Sequence, residues 1–375
     1  MAVRDEAMGR EIRLERLHPA ELRVAMAEAP VAWVPLGAIE FHAEHLPFGT
    51  DGFSAQEVVE RAARRVGGVV LPWSALTIGT LHLEWSFRYD RALVEGALRQ
   101  TIDQLAAHGA RIVVVHTGHG PLDLVHLIKR VCAEVEQSGR HGPDFRAYGL
   151  CYLELNASLR VGIGTDWPVA IDHGSIVETS WLMATEPDLV HLDRLPDDPA
   201  ANGIVGVYGP DPRAGARADL GSEQLDGCAA LLADRVGTLL AGGHVDTLAD
   251  LRDFVARYWP EPLTVGGQAG DAGYAALTIT NPAPVSRYLT SIDLSIDGER
   301  IDPEELSLVN RTLGEAATPM PASALGRESG FYVRREQTAE IRLPVAVQPA
   351  RHHLQLELGL AGVTSDRLEV EVPFV

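Results

Sequence analysis

The stretch VAWVPLGAIEFHAEHLPFGTD, residues 31–51, decides how the first part of the chain is read. Val31 to Leu36 is a short apolar run of the kind that forms a strand buried on both faces. Directly after it come Glu40, His42, His45 and Asp51. Carboxylate and imidazole are ligands for divalent cations, and here they crowd one loop at a strand end.

Working outward, short apolar runs alternate with segments of helical periodicity. Val31 to Leu36, Val69 to Pro72, Ile112 to Val115 and Phe145 to Leu153 read as strands. Ala55 to Arg65, Arg91 to His108, Leu122 to Glu136 and Ser175 to Thr185 read as helices, with Asp90 and Ser175 as expected N-caps. Such βα alternation predicts a three-layer α/β/α domain around a mainly parallel sheet. The rhythm changes after Arg252 to Trp259 and the break at Pro260 and Pro262. Ala275 to Thr280, Tyr288 to Ile296, Glu340 to Val345, His353 to Leu360 and Arg367 to Val375 then alternate with period two between turn residues, which predicts an antiparallel β-sandwich. At 375 residues the chain exceeds the usual single-domain size, and the expected division is 1–255 and 256–375.

In an open parallel sheet, ligands bind beyond the carboxyl ends of the strands. Two further loops fall at such positions. HTGHGPLD carries His119 between Gly118 and Gly120, and DHGSIVETS carries Asp172, His173 and Glu178 into a helix. An isolated histidine or glutamate in a loop is ordinarily a surface or capping residue, but three acid/His clusters at corresponding loop positions point to one metal-binding rim. An aspartate can offer one oxygen to each of two ions, and Asp51 is placed to do so. The absence of thiolates from the clusters argues against a structural zinc knot.

Other classes are disfavoured by composition and by missing motifs. Thirty-two basic against 52 acidic residues give a formal net charge of -20, which repels nucleic acid and anionic lipid surfaces. There is no apolar stretch of bilayer length, and the charged N-terminus lacks a signal-peptide core, so a cytoplasmic protein is expected. Cys132, Cys151 and Cys228 sit at no redox or metal spacing and read as reduced structural thiols. No GxSxG elbow, P-loop or GxGxxG fingerprint is present.

The order of motifs, GxxExHxxHLPxxTD from Gly37, then GHG at 118–120, then HGxxxETS from His173, resembles the creatininase (creatinine amidohydrolase) family. LAAHGARIVVVHTGHG and GVYGPDPRAGARADLG extend the likeness over residues 28–240. The resemblance implies a cytoplasmic homo-oligomer, commonly a hexamer, that binds two divalent ions per chain, with zinc first and manganese or iron(II) as alternatives. It implies Glu40, Asp51 and His119 as ligands of one ion, His42 and the bridging Asp51 as ligands of the other, and His173 as the acid/base. Glu178 is expected to complete the ligand shell of the second metal or to hold that metal's water; its alternative reading is a helix-terminal acid that favours the dipole. One departure matters. The second residue after the GHG histidine is a metal-binding glutamate in creatininase, and here it is Pro121, for which Asp123 is a candidate substitute. His82, Trp85 and Trp167 are candidates for lining a small-molecule pocket or for packing.

The segment from Tyr288 to Leu360 is similar, more loosely, to the small β-rich subunit of C-glycoside deglycosidases, which act on 3-oxo-sugar conjugates. This moves the expected substrate toward oxidised sugars or inositols. The resemblance implies ring opening of a cyclic diketone such as 3-dehydro-scyllo-inosose by hydroxide attack on a carbonyl. Cyclic-amide hydrolysis, keto-sugar isomerisation or lysis, and a non-catalytic metal-binding module stand as alternatives, and the C-terminal domain can equally be an oligomerisation or lid module.

Overall fold

Val31–Leu36 is a strand, β1, and every residue in it is buried. A strand buried on both faces needs a cover on each side, which is what parallel sheets have. β2 (Val69–Val70), β3 (Ile112–Thr117) and β4 (Arg146–Cys151) join it in one parallel sheet of order β2-β1-β3-β4. The computed structural model describes residues 10–81, 83–159, 172–197, 204–246, 264–269, 275–280, 287–310, 319–325, 331–333, 338–343, 350–360 and 364–373. Its contacts divide the chain into two units, Met1–Asp250 and Leu251–Val375.

In the first unit the helices are α1 (Pro19–Glu28), α2 (Thr50–Val66), α3 (Arg91–Ala107), α4 (Leu122–Gln137), α5 (Tyr152–Leu159), α6 (Ile176–Thr185) and α7 (Ala218–Leu240). Alternation along each strand sorts them into two layers. Ala32, Val34 and Leu36 of β1 and Val113 and Val115 of β3 pack with Ala25 of α1, Val94, Leu98 and Ile102 of α3, and Leu124 to Val135 of α4. The intervening residues face α2 and α7, which both contact the sheet and each other. Trp33 marks that side, donating from Nε1 to the Gly67 carbonyl just beyond α2, 3.0 Å away. α6 packs in turn on α2 and α7.

The register places Leu36 opposite Thr117, so the loops leaving β1 and β3 start side by side. Gly118 N–H donates to the Leu36 carbonyl at 2.9 Å and ties the two ends together. The first turn of α2 lies against both. A Cβ on Gly118 would sit 2.2 Å from the Asp51 carbonyl oxygen, and one on Gly37 would sit 2.3 Å from Gly52 N. Only glycine admits that approach.

Among its described residues the second unit has ten strands in two sheets. β5 (Thr264–Ala269), β6 (Ala275–Thr280), β9 (Ser307–Asn310), β10 (Met320–Pro321) and β12 (Thr338–Leu343) form one, in the order β10-β9-β12-β6-β5. β7 (Arg287–Ile296), β8 (Glu299–Ile301), β11 (Phe331–Val333), β13 (Arg351–Leu360) and β14 (Thr364–Pro373) form the other, in the order β11-β7-β13-β14 with β8 on β7. Every pairing is antiparallel. Leu354, Leu356 and Leu358 show the expected alternation on β13, and with Leu277, Ile279, Leu308 and Ile341 from the other sheet they are buried. The two antiparallel sheets match the expected class.

Several local expectations need correction. The strand expected over Phe145 to Leu153 ends at Cys151, because the chain turns at once into α5, where the Glu154 carboxylate accepts from Cys151 N–H at 2.7 Å. α2 starts at Thr50 rather than Ala55, with Thr50 Oγ1 donating to the Pro47 carbonyl at 2.7 Å, so Asp51 lies in a helical turn and not in a loop. Neither Asp90 nor Ser175 caps its helix through its side chain. The Ser175 hydroxyl donates to the Pro210 carbonyl instead. Arg252 to Trp259 lies outside the described residues.

Gly118→Ala is expected to drive a methyl group into the backbone of α2 and to destabilise the first unit by about 3 kcal/mol, the upper range for overpacking. Urea unfolding checks this; a midpoint equal to that of the unaltered protein would contradict the packing described.

Candidate metal centre

Four chain segments deliver the donor groups. Glu40 and His42 leave the end of β1, Asp51 comes from the first turn of α2, His119 from the loop after β3, and Glu178 from the first turn of α6. All five side chains are buried. His42 Nε2 lies 3.0 Å from Asp51 Oδ1 and 3.5 Å from Glu178 Oε2. His119 Nδ1 lies 3.0 Å from Asp51 Oδ2 and 3.1 Å from Glu40 Oε2. The two oxygens of Asp51 are therefore shared out, one to each imidazole. Three groups of donor atoms fall within 4.8 Å of one another: Glu40 with Asp51 and His119, His42 with Asp51 and Glu178, and Glu40 with His42 and His173.

The donor set fits two divalent cations on grounds of chemistry and of satisfaction. Ligand bonds of about 2.0–2.2 Å put neighbouring ligand atoms about 3–3.5 Å apart, the range seen here. Glu40 Oε2 and Asp51 Oδ2 are buried with His119 Nδ1 as their shared neighbour, and His119 Nε2 is buried with no hydrogen-bond partner among the described residues. Three buried carboxylates around two imidazoles are expensive to desolvate unless cations compensate them.

Backbone contacts orient the ligands. His42 Nδ1 lies 3.0 Å from the Glu40 carbonyl, which can only accept, so Nδ1 carries hydrogen and Nε2 faces the carboxylates. Leu81 N–H donates to Glu40 Oε1, and Glu40 N–H donates to the Phe48 carbonyl at 3.0 Å. His119 N–H donates to Thr117 Oγ1 at 3.0 Å, and that hydroxyl donates to the His119 carbonyl at 2.9 Å. Asp172 caps α6: its carboxylate accepts from the N–H groups of Ser175, Val177 and Glu178 at 3.2, 3.0 and 3.1 Å. Glu178 Oε2 reaches back to accept from Gly174 N–H at 2.7 Å.

Electrostatics follow from burial opposed by pairing. Burial resists ionisation of Asp51 and Glu40, but the imidazoles beside them hold both carboxyls below the carboxylate range. Burial likewise resists charge on His42, yet Asp51 and Glu178 raise it to about 10, and Glu40 and Asp51 raise His119 well above its ordinary value. Burial lifts Glu178 well above the carboxylate range. His173 behaves oppositely: burial and the neighbouring His42 push it down to about 4.

His173 stacks on His42 with ring centroids 4.1 Å apart. Its Nε2 is 3.0 Å from the Phe41 carbonyl, and its backbone pairs with Tyr208 through N–H to carbonyl bonds of 3.1 and 2.8 Å. Sequence reasoning missed Tyr208, whose half-exposed ring stands 5.7 Å from that of His173; nothing in GVYGPDP marks it. It also left Asp172 without a role, although an aspartate ahead of an apolar helix is a capping signal. Asp123 does not join the donor groups. It accepts from Leu124 N–H at 2.9 Å and lies 3.6 Å from Arg91 Nη2. Trp85 is 71% exposed and has φ 54°, while His82 and Trp167 lie outside the described residues.

Known proteins are similar to this chain. The family model for creatininase, described as creatinine amidohydrolase, matches residues 15–234. A creatinine amidohydrolase from Pseudomonas putida is 32% identical over 195 residues, which is 48% of this chain and 74% of that protein. A crystal structure of creatinine amidohydrolase (creatininase) superposes with a TM-score of 0.51 at 26% identity, covering 61% of this chain and 98% of that one. A second structure, described as creatininase Mn, does so with a TM-score of 0.50 at 26% identity, over 60% and 98%. The family match stops before the second unit begins at Leu251. With the fold, the motif order and the relatives in agreement, the chain belongs to the creatininase family and is a hydrolase.

Proposed function

We propose that the site is a binuclear metal centre that opens a small carbonyl-containing ring by hydrolysis. Glu40, Asp51 and His119 hold one ion, and His42, Asp51 and Glu178 hold the other. The division of the two Asp51 oxygens between His42 and His119 is the observation that supports this reading above all. Manganese is bound by one of the creatininase structures, as its description states, and zinc or iron(II) suits the same nitrogen and oxygen donors.

Ions bound there supply Lewis acidity to the ring carbonyl and bring the pKa of water toward neutrality. The chain supplies the rest. Asp51 sets the spacing of the two positions. His173 is neutral, and because its Nε2–H is committed to the Phe41 carbonyl, Nδ1 is the basic atom. His173 accepts a proton from the attacking water and returns it to the leaving atom. In a cyclic amide that atom is nitrogen. In a 1,3-diketone it is carbon, with the second carbonyl holding the electron pair as an enolate until the proton arrives.

The diketone class, of keto-inositol or keto-sugar type, is our first reading. Pro121 stands where creatininase carries a metal-binding glutamate, and the C-terminal unit resembles a subunit that serves oxidised sugars. The amide class is the second reading, supported by the name that the relatives share. Substrates of both kinds, given to the metal-loaded protein, separate the two. Each yields a new carboxylate, accompanied by an amine from the amide and a ketone from the diketone. Opening of neither would remove the proposal.

Three further outcomes are expected. The purified protein should hold about two ions per chain, and Asp51→Ala should lose both, measured by elemental mass spectrometry. His173→Gln should keep both ions and lower turnover by about 10²–10⁴-fold, the size of a lost acid/base group. Protons compete with cations for His42. Because its pKa is raised from 6.5 to about 10, the metal-free protein carries that proton at neutral pH, and loading expels it. Apparent affinity should rise with pH toward about 10, checked by titrating metal in buffers of differing pH. The proton's contribution to metal-free stability is fully present below 6.5 and is lost as pH rises through about 10.

A further inference from the structure

His45 is buried, belongs to none of the donor groups, and has no part in the mechanism above. Its Nε2 lies 2.9 Å from Thr179 Oγ1 on α6, one residue beyond Glu178. Its carbonyl accepts from His191 N–H at 2.9 Å, which ties its backbone to the segment that follows α6. Its Nδ1 is buried without a hydrogen-bond partner, so Thr179 is the ring's one hydrogen-bonded anchor among the described residues. Burying an imidazole with a ring nitrogen unsatisfied is unfavourable, and a hydrophobic residue of similar volume would avoid that.

The two ends of this contact lie next to two of the proposed ligands of one ion. His45 is three residues from His42 on the loop after β1, and Thr179 adjoins Glu178 on α6, while His42 Nε2 and Glu178 Oε2 are 3.5 Å apart. These ligands come from elements 136 positions apart in sequence, so something must fix α6 against the β1 loop at the depth that brings Glu178 to His42. The Glu40, Asp51 and His119 group makes no use of α6.

We propose that His45 is a positioning residue for the second metal position: through Thr179 it sets the distance between Glu178 and His42, and so acts on one ion and not the other. This rests on the binuclear reading above. The test titrates Zn²⁺ into the metal-free full chain, with bound metal read by elemental mass spectrometry at each free concentration. Thr179→Val keeps the packing volume and removes the hydroxyl. It should leave one ion at unaltered affinity and weaken the other by about 10–100-fold, the usual effect of losing a partner beyond the ligands. His45→Ala should do the same, and His45→Gln and Thr179→Ser, which keep a hydrogen-bonding group at either end, should restore the affinity. A purely structural role would shift thermal stability without that selectivity or that rescue. Two ions bound at unaltered affinity in Thr179→Val, or equal weakening of both, would overturn the inference alone. Fewer than two ions in the unaltered protein would overturn the binuclear reading and this inference with it.

Discussion

The site exists because a helix terminus comes within backbone contact of two strand ends. α2 begins so close to β1 and β3 that Gly37 and Gly118 have no room for a Cβ, and Gly52 faces the Trp73 ring, where a Cβ would lie 2.4 Å from its atoms. Any other side chain at 37 or 118 would push α2 outward by the width of a methyl group. Asp51 would then leave the gap between His42 and His119, since a carboxylate is short and has one rotatable bond to its Cβ. The distance between the two imidazoles is therefore set by backbone packing, a stiffer constraint than side-chain choice.

That closeness concentrates charge of both signs where water is absent. Glu40, Asp51 and Glu178 are buried beside His42 and His119, and the imidazoles take up the electrostatic load by holding protons far above their ordinary affinity. Such proton-filled pairing has the charge distribution that a cation would find favourable, with protons standing where metal would stand. The helix termini add to it. Asp51 and Glu178 both lie in first turns, where the helix dipole favours negative charge. Burial nevertheless keeps Glu178 above the carboxylate range, so the helix terminus alone does not ionise it.

Much of this was legible in the sequence, for physical reasons that differ from element to element. β1 and β3 could be read because both faces are buried and the run is uniformly apolar, and Arg91–Ala107 because its apolar stripe has the helical period. Glu40, His42, Asp51 and His119 could be read because glycines and ligand types cluster at strand ends. The start of α2 was not legible: TDGFS lacks helix formers, and the turn is held by Thr50 on Pro47 and by packing on Gly37 and Gly118. α5 was missed because YLELN continues the apolar character of β4 without a breaker. Tyr208 and the contact of His45 with Thr179 join residues far apart in the chain, and no local pattern encodes such a meeting.

The departure at Pro121 has a structural consequence that joins these points. In creatininase, as the resemblance implies, the second residue after the GHG histidine is a glutamate that binds metal. Here Pro121 has no donor and sits at the start of α4, while Asp123 is turned to Arg91 and to the helix backbone. Besides Asp51, the carboxylate beside His42 is that of Glu178, on a helix that packs against α2 and α7 rather than at the sheet edge. In the proposed arrangement the second position would depend on how α6 docks, through Asp172 at its N-terminus, Gly174 beneath Glu178 and Thr179 against His45. The first would draw its ligands from the ends of β1 and β3 and from α2, which share a glycine-locked contact. Two positions joined by one aspartate would therefore differ in what holds them, the second drawing a ligand from α6 and the first not.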